Sequence, residues 1–158
     1  MTAFLNVLRI IYGRLQESPA QWALTGSLGM ALQGMPIEPH DIDVQTDSEG
    51  AYEIERRLAR WMVRPITFSE AERIRSHFGE ARIYGTKVEI MGDIQKRLPN
   101  GSWEDPVAVT RYRRIVDVDG MAIPVLSLEY EYEAYTRLER HDRAGQIRRF
   151  ISEKQGGR

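Results

Sequence analysis

LTGSLGMALQGMPIEPHDIDV, residues Leu24 to Val44, joins two short apolar runs through a Gly26-Ser27 turn, an apolar helix-like segment and a proline-bounded loop. Its last four residues, Asp41-Ile42-Asp43-Val44, alternate acid with aliphatic. Successive side chains of a β-strand point to opposite faces. Asp41 and Asp43 therefore share one face, and Ile42 and Val44 turn to the core on the other. Two ionised carboxylates so placed repel each other. A divalent cation relieves that repulsion, and an oxygen-rich acidic site suits Mg²⁺ or Mn²⁺. The pattern predicts metal-assisted phosphoryl chemistry.

Upstream, Trp22 to Thr25 reads as a short buried strand closed by Gly26-Ser27. Ser27 is expected to cap a helix running to about Gln33, with Gly34 as its stop. A glycine–serine turn at a helix start offers backbone N–H groups and a hydroxyl to phosphates, in the favourable field of the helix N-terminus. Downstream, residues 76–83 and 86–92 read as a hairpin around Tyr84-Gly85, with Lys87, Glu89 and Met91 on one face and Val88 and Ile90 on the other. If that strand lies beside the Asp41–Asp43 strand, three carboxylates converge. Such a triad can hold two metal ions and stabilise both oxygens of an in-line displacement. An Asp-x-Asp pair alone is more often a solvated strand edge; the upstream turn and the later isolated acid make this pair informative.

The remaining pattern sets the architecture. Phe4, Leu5, Leu8, Ile11, Tyr12 and Leu15 recur at helical spacing, predicting a helix over 3–16. Asp47-Ser48 opens another, with Tyr52, Ile54, Leu58 and Trp61 as its apolar stripe. Met62 to Phe68 reads as a strand that Pro65 confines to an edge or a bulge. Ser69 to Arg75 reads as a short helical turn, and Leu98 to Pro106 as a loop. Strands at 114–118 and 121–126 flank Asp119-Gly120, a two-residue hairpin signal. Ser127 caps a helix to about Glu139, a last helix covers about 143–153, and the tail QGGR should fray. The order predicts an α+β fold: a mixed β-sheet with helices packed on it and a C-terminal helical pair over about 127–153.

A chain of 158 residues with 42% apolar and 28% charged residues is one domain's worth, so 1–158 is expected to form a single domain. It has no apolar run long enough for a membrane span. Arg9 and Arg14 interrupt the first apolar pattern and no small-residue cleavage site follows, which argues against a signal peptide. With no cysteine, disulfides, thiolate metal sites and cysteine nucleophiles are excluded, and a cytoplasmic location is the default expectation. A net charge near −1 gives no overall attraction to nucleic acid.

TGS, thirteen residues, DID and then an isolated acid in VEI resemble the motif of the polymerase-β-like nucleotidyltransferase superfamily. Within it the chain is similar to small stand-alone bacterial and archaeal enzymes, relatives of the aminoglycoside and lincosamide adenylyltransferases and of toxin-type nucleotidyltransferases. The segment IPVLSLEYEYEAYTRLERHDRA resembles that group's C-terminal segment, with Arg137 near a lysine position and His141-Asp142 in place of Lys-Asp. The resemblance implies a nucleotidyltransferase fold in which Asp41, Asp43 and Glu89 are catalytic and bind two Mg²⁺ (or Mn²⁺). Glu89 would also help deprotonate the acceptor hydroxyl, as a metal ligand or as general base, Gly26 and Ser27 would hold the nucleotide's phosphates, and Lys87 and Arg137 would supply cations. The implied reaction moves a nucleoside monophosphate, AMP above others, from an NTP such as ATP to a hydroxyl. The acceptor stays open between a small molecule such as an antibiotic, a protein side chain and an RNA end. The alternative is a non-catalytic nucleotide-binding or regulatory module, such as one component of a toxin–antitoxin pair. The thin cleft also leaves room for a homodimer or a partner protein at the acceptor site.

Other candidates read as ordinary. His40 is a loop residue or a nucleotide contact, His77 and His141 surface residues, and Tyr130, Tyr132 and Tyr135 packing residues. Arg111, Arg113 and Arg114 form a solvated face or a polyanion contact.

Overall fold

A computed structural model describes residues 1–156. Its elements run α1 (Thr2–Leu15), β1 (Trp22–Thr25), α2 (Gly26–Leu32), β2 (Ile42–Thr46), α3 (Ser48–Arg57), β3 (Met62–Glu70), β4 (Ile74–Ile83) and β5 (Thr86–Lys96). They continue with α4 (Val109–Tyr112), β6 (Arg113–Val118), β7 (Met121–Leu126), α5 (Leu128–Arg137) and α6 (His141–Gly156). The strands form one mixed sheet in the order β3-β4-β5-β2-β1-β7-β6. At its centre β2 runs antiparallel to β1 and parallel to β5, and β1 runs parallel to β7. The fold is thus α+β, with α5 and α6 packed as a C-terminal pair. No described helix is long and apolar enough to cross a membrane.

The core lies on one face of this sheet. Ile42 and Val44 of β2 and Val88 and Ile90 of β5 are fully buried there, under Leu8, Ile11 and Leu15 of α1, Ala51 and Ile54 of α3 and Leu58 just after it. These are the aliphatic halves of the alternating strand pattern, and their burial fixes the register by hydrophobic area. A smaller cluster, Met30, Met35, Leu128 and Ile147, seats the C-terminal pair against α2. The Asp47 and Ser127 side chains accept from the N–H groups of Gly50 and Tyr130 and so cap α3 and α5. Tyr84-Gly85 and Asp119-Gly120 all have positive φ, as two-residue hairpin turns of this kind require. Pro65 sits on the edge strand β3 within the register shift between Arg64 and Thr67, the place proline tolerates.

Four local expectations change. Ser69 to Arg75 forms no helical turn: Ser69 pairs with Ser76 and Glu70 with Arg75, so β3 and β4 make a hairpin. Helix-forming residues there yield to a ladder that satisfies the same backbone groups by tertiary pairing. The short helix α4 falls between the expected loop and the expected strand, over residues to which the sequence assigns no element. The helix after Ser127 ends at Arg137, and the last helix begins at His141 and runs through Gly156. The expected fraying of the tail falls partly on residues 157–158, which lie outside the described residues.

Gly92 has a packing role. A Cβ there would meet the Asp47 carbonyl oxygen at 2.6 Å and the Ala51 Cβ at 2.8 Å, where α3 lies directly on β5. Gly92→Ala should therefore cost about 1–3 kcal/mol, read as a lower denaturant midpoint with unchanged cooperativity.

Candidate active site

The parallel pairing of β2 and β5 sets Asp43 opposite Glu89, on the sheet face away from the main core. Asp41 precedes the first paired residue of β2. Lys87, two residues before Glu89, reaches across both strands: its Nζ lies 3.4 Å from Asp41 Oδ2 and 3.2 Å from Glu89 Oε1. The Glu89 hydrogen bond and charge, then those of Asp41, hold the ammonium above its ordinary pKa. Asp43 belongs to neither pair. Burial, followed by the charges of Glu89 and Asp41, pushes its carboxyl up to about 7 against the opposing pull of Lys87.

Gly26 explains how Asp43 is seated. Its φ of +71° is in the left-handed region, and a Cβ on it would run into Asp43 Oδ2. The turn between β1 and α2 thus lies directly against the carboxylate, and only glycine allows it. From the other side α5 brings in Glu131, 2% exposed. Its Oε1 accepts a short hydrogen bond from the Thr25 hydroxyl and a longer one, 3.4 Å, from the Gly26 N–H. Burial dominates its titration and pushes it up to about 7; the Asp43 charge adds to the rise, and Thr25, Gly26 and Lys96 oppose it.

Ser27 departs from expectation. The N-cap position is Thr25, which makes no capping bond with its side chain. The Ser27 hydroxyl instead accepts from the His40 N–H at 3.0 Å, tying the loop before Asp41 to the start of α2. α2 starts at Gly26, one residue before Ser27, with Gly26 itself holding the left-handed φ of the turn.

A cavity of about 260 Å³ opens onto this cluster, lined among others by Gly26, Asp43, Glu89, Lys96, Glu131 and Arg140. A larger one, about 590 Å³, adjoins it across Lys96, Tyr130 and Ala134 and carries Glu104, Glu133, Arg111 and Arg137. Arg137 is paired with Glu104 at 3.0 Å and lines the larger cavity rather than the one holding Asp43. Lys96 is buried between the two, 3.3 Å from Glu104 Oε1 and 3.2 Å from the Tyr130 hydroxyl, which Gln45 Nε2 also meets at 3.3 Å. Tyr132 and Tyr135 pack with the C-terminal cluster, and Tyr135 also lines the smaller cavity.

Lys96 and Glu131 escape a reading by periodicity. Counting in twos from Glu89 assigns Lys96 to the opposite face. Asp93, with φ +51°, breaks the alternation: pairing with β4 jumps from Gly92–His77 to Gln95–Arg75. Beyond that bulge Ile94 and Lys96 line the same cavity as Glu89 and Met91. The Gly92-Asp93 pair inside a strand is the signal that could have marked it. Glu131 carries no such mark; one acid among the many of LEYEYEA is buried only because α5 packs over the turn.

The donor set fits a hard divalent cation: it is all oxygen, and its buried member, Asp43, has no cation of its own. Among the described residues no three carboxylate or histidine side chains form a ready-made metal cage; the Lys87 ammonium stands between Asp41 and Glu89. A cation is thus already drawn to this place.

Residues 7–148 match the family model described as aminoglycoside-2''-adenylyltransferase. Among solved structures, a Thermotoga maritima protein provisionally described as a nucleotidyltransferase is 55% identical, covers 97% of this chain and 95% of its own, and superposes with a TM-score of 0.86. ANT(2'')-Ia, solved with adenylyl-2''-tobramycin, is 12% identical over 96% of this chain and 92% of its own, with a TM-score of 0.61. The lincosamide adenylyltransferase LnuA, solved with lincomycin bound, is 14% identical over 89% and 94%, with a TM-score of 0.57. These last two likenesses are of fold. No curated protein matches the chain significantly.

Glu131 makes stability depend on pH. It titrates near 4.5 in an unfolded chain and near 7 in the fold. Within that window the native state keeps a proton that the unfolded chain has lost, so stability falls as pH rises through it. Glu131→Gln keeps an acceptor for Thr25 and removes the titration. Above pH 7 the variant should be the more stable, by at most roughly 3 kcal/mol, with a flatter pH profile in denaturant melts. A variant less stable at every pH would contradict the burial argument.

Proposed function

Because the chain belongs to the aminoglycoside-2''-adenylyltransferase family, a family of nucleotidyltransferases, we propose that it moves AMP from ATP to a hydroxyl acceptor. The observation that carries this reading is the in-register pairing of Asp43 with Glu89 beside the Gly26 turn. It joins an acidic cluster to a close backbone approach, the two things a nucleotide triphosphate with its counter-ion requires. Residues 1–158 act in this proposal as one catalytic domain.

Asp41, Asp43 and Glu89 would hold two Mg²⁺, with Mn²⁺ as a substitute. When bound, Mg²⁺ supplies charge neutralisation at the phosphate oxygens. The protein's own part is as follows. Gly26 and Ser27 receive the phosphates at the turn, where no side chain intervenes. Glu89 takes the proton of the acceptor hydroxyl as its oxygen attacks the α-phosphorus, and pyrophosphate leaves. Lys87, which lies between Asp41 and Glu89, would turn to the phosphate charge, and Arg137 would serve it from the neighbouring cavity once released from Glu104. Lys96 and Arg140, cations that line the carboxylate cavity itself, strengthen the same field. The larger cavity, sharing its Lys96–Tyr130 wall with the smaller, receives the acceptor.

Labelled ATP, GTP, CTP and UTP offered with Mg²⁺ and a panel of aminoglycosides, lincosamides, RNA and cell protein test the proposal. Label should pass from ATP to a hydroxyl of one acceptor class with release of pyrophosphate. Asp43→Asn should lower transfer by about a thousandfold or more while raising the stability of the metal-free protein, since it removes one charge from a repelling cluster. Nucleotide binding without transfer to any acceptor in a whole-cell extract would favour the regulatory module. An active Asp43→Asn enzyme would remove Asp43 from the metal site.

A further inference from the structure

The sheet has two edge strands, β3 and β6, and the chain treats them differently. Exposed edges present unpaired N–H and C=O groups that recruit other strands, and monomeric proteins blunt them with proline, bulges or charge. β3 is blunted: it carries Pro65 within one of its two register shifts. β6 is not. It pairs with β7 in an unbroken antiparallel ladder from Arg113–Leu126 to Val118–Met121, and it holds no proline or glycine. Its middle residue, Ile115, is 59% exposed, among the most exposed large apolar side chains described.

The charges beside Ile115 have a symmetry. Alternation puts Arg113, Ile115 and Asp117 on one face of the strand, opposite Val116 and Val118, which pack on the core. The sequence around Ile115 is thus basic on one side and acidic on the other at equal distance. Among the described residues no ion pair involves Arg113, Arg114 or Asp117. Arg113 donates only a long bond, 3.4 Å, to the Trp22 carbonyl, and Asp117 uses one oxygen to accept from Gly120 N–H.

We propose that β6 is a self-association strand: two copies of the chain pair their β6 edges antiparallel about a two-fold axis through Ile115. In a continuous sheet that axis is perpendicular to the strands' plane, so directly opposed residues share a face and are of equal parity in number. The pairing centred on Ile115 obeys this. Ile115 meets Ile115 of the second copy, Arg113 meets Asp117, and Asp117 meets Arg113. One apolar contact at the axis is bracketed by two ion pairs, which is the self-complementarity an isologous interface requires. A parallel pairing would set like charges side by side. The contact uses main-chain bonds and five residues per copy, a small interface, so the dimer forms reversibly with concentration.

Sedimentation velocity of the full chain tests this. Between about 5 and 500 µM, a span suited to a small interface, the wild type should shift from monomer to a species of twice the mass. Asp117→Arg and Arg113→Asp should each stay monomeric over the whole range, and the double exchange should restore the dimer. Ile115→Lys sets two like charges together at the axis and should also remain monomeric; its exposed position leaves the fold intact, which circular dichroism verifies. A wild type that stays monomeric throughout overturns the proposal. So does a dimer that survives Ile115→Lys, or a double exchange that folds but does not restore pairing.

Discussion

The parallel register of β2 on β5 places Asp43 directly beside Glu89, and much of the molecule accommodates that juxtaposition. The aliphatic residues between the acids, Ile42 and Val44 on one strand and Val88 and Ile90 on the other, are completely buried under α1 and α3. Their burial is what the register gains; the facing carboxylates are what it costs. Shifting one strand by a single residue would separate the acids and also turn the aliphatic set away from the core. The hydrophobic core therefore holds like charges together that would otherwise part.

Three local features shape that cluster, and the first offsets its charge. Lys87 spans Asp41 and Glu89 with one ammonium. Gly26, free of a side chain, lets the turn lie against Asp43. Glu131 closes the far side of the same turn through Thr25 and Gly26, yet it is itself a buried acid. The Asp43 charge adds to the rise in Glu131's titration, and Glu89 and Asp41 add to that of Asp43, so the region gathers acidic groups in a partly dry setting. Such a pocket is poorly suited to an anion alone and well suited to a polyphosphate that arrives with divalent cations.

Legibility from sequence followed the range of the interactions. The Asp41–Asp43 pair, Glu89, the Gly26-Ser27 turn, the hairpins at Tyr84-Gly85 and Asp119-Gly120 and the caps Asp47 and Ser127 are local signals, each carried by a few adjacent residues. The structure brings Asp43 and Glu89 onto neighbouring strands, with Asp41 just before β2, and keeps Lys87 with Asp41 and Glu89. Arg137 shows the opposite case: a cation at the right place in the chain, yet engaged by Glu104 at 3.0 Å on the larger cavity. The bulge at Asp93 shows another, since one left-handed residue moves Lys96 to the face where the chemistry lies. The Ser69–Arg75 segment pairs as a hairpin and not as a helical turn, because its helix-forming residues say nothing about the β4 strand that pairs with them.

By itself the sequence determined the alternating strands, the turn residues and the acids that share a face, because side-chain period and backbone sterics act within a few residues. It also carried the family motif. Only the tertiary structure decided which strands are neighbours, which of the many acids is buried and which lysine faces the site. Those outcomes depend on desolvation and on pairing between distant segments, and neither is a property of any short stretch of chain.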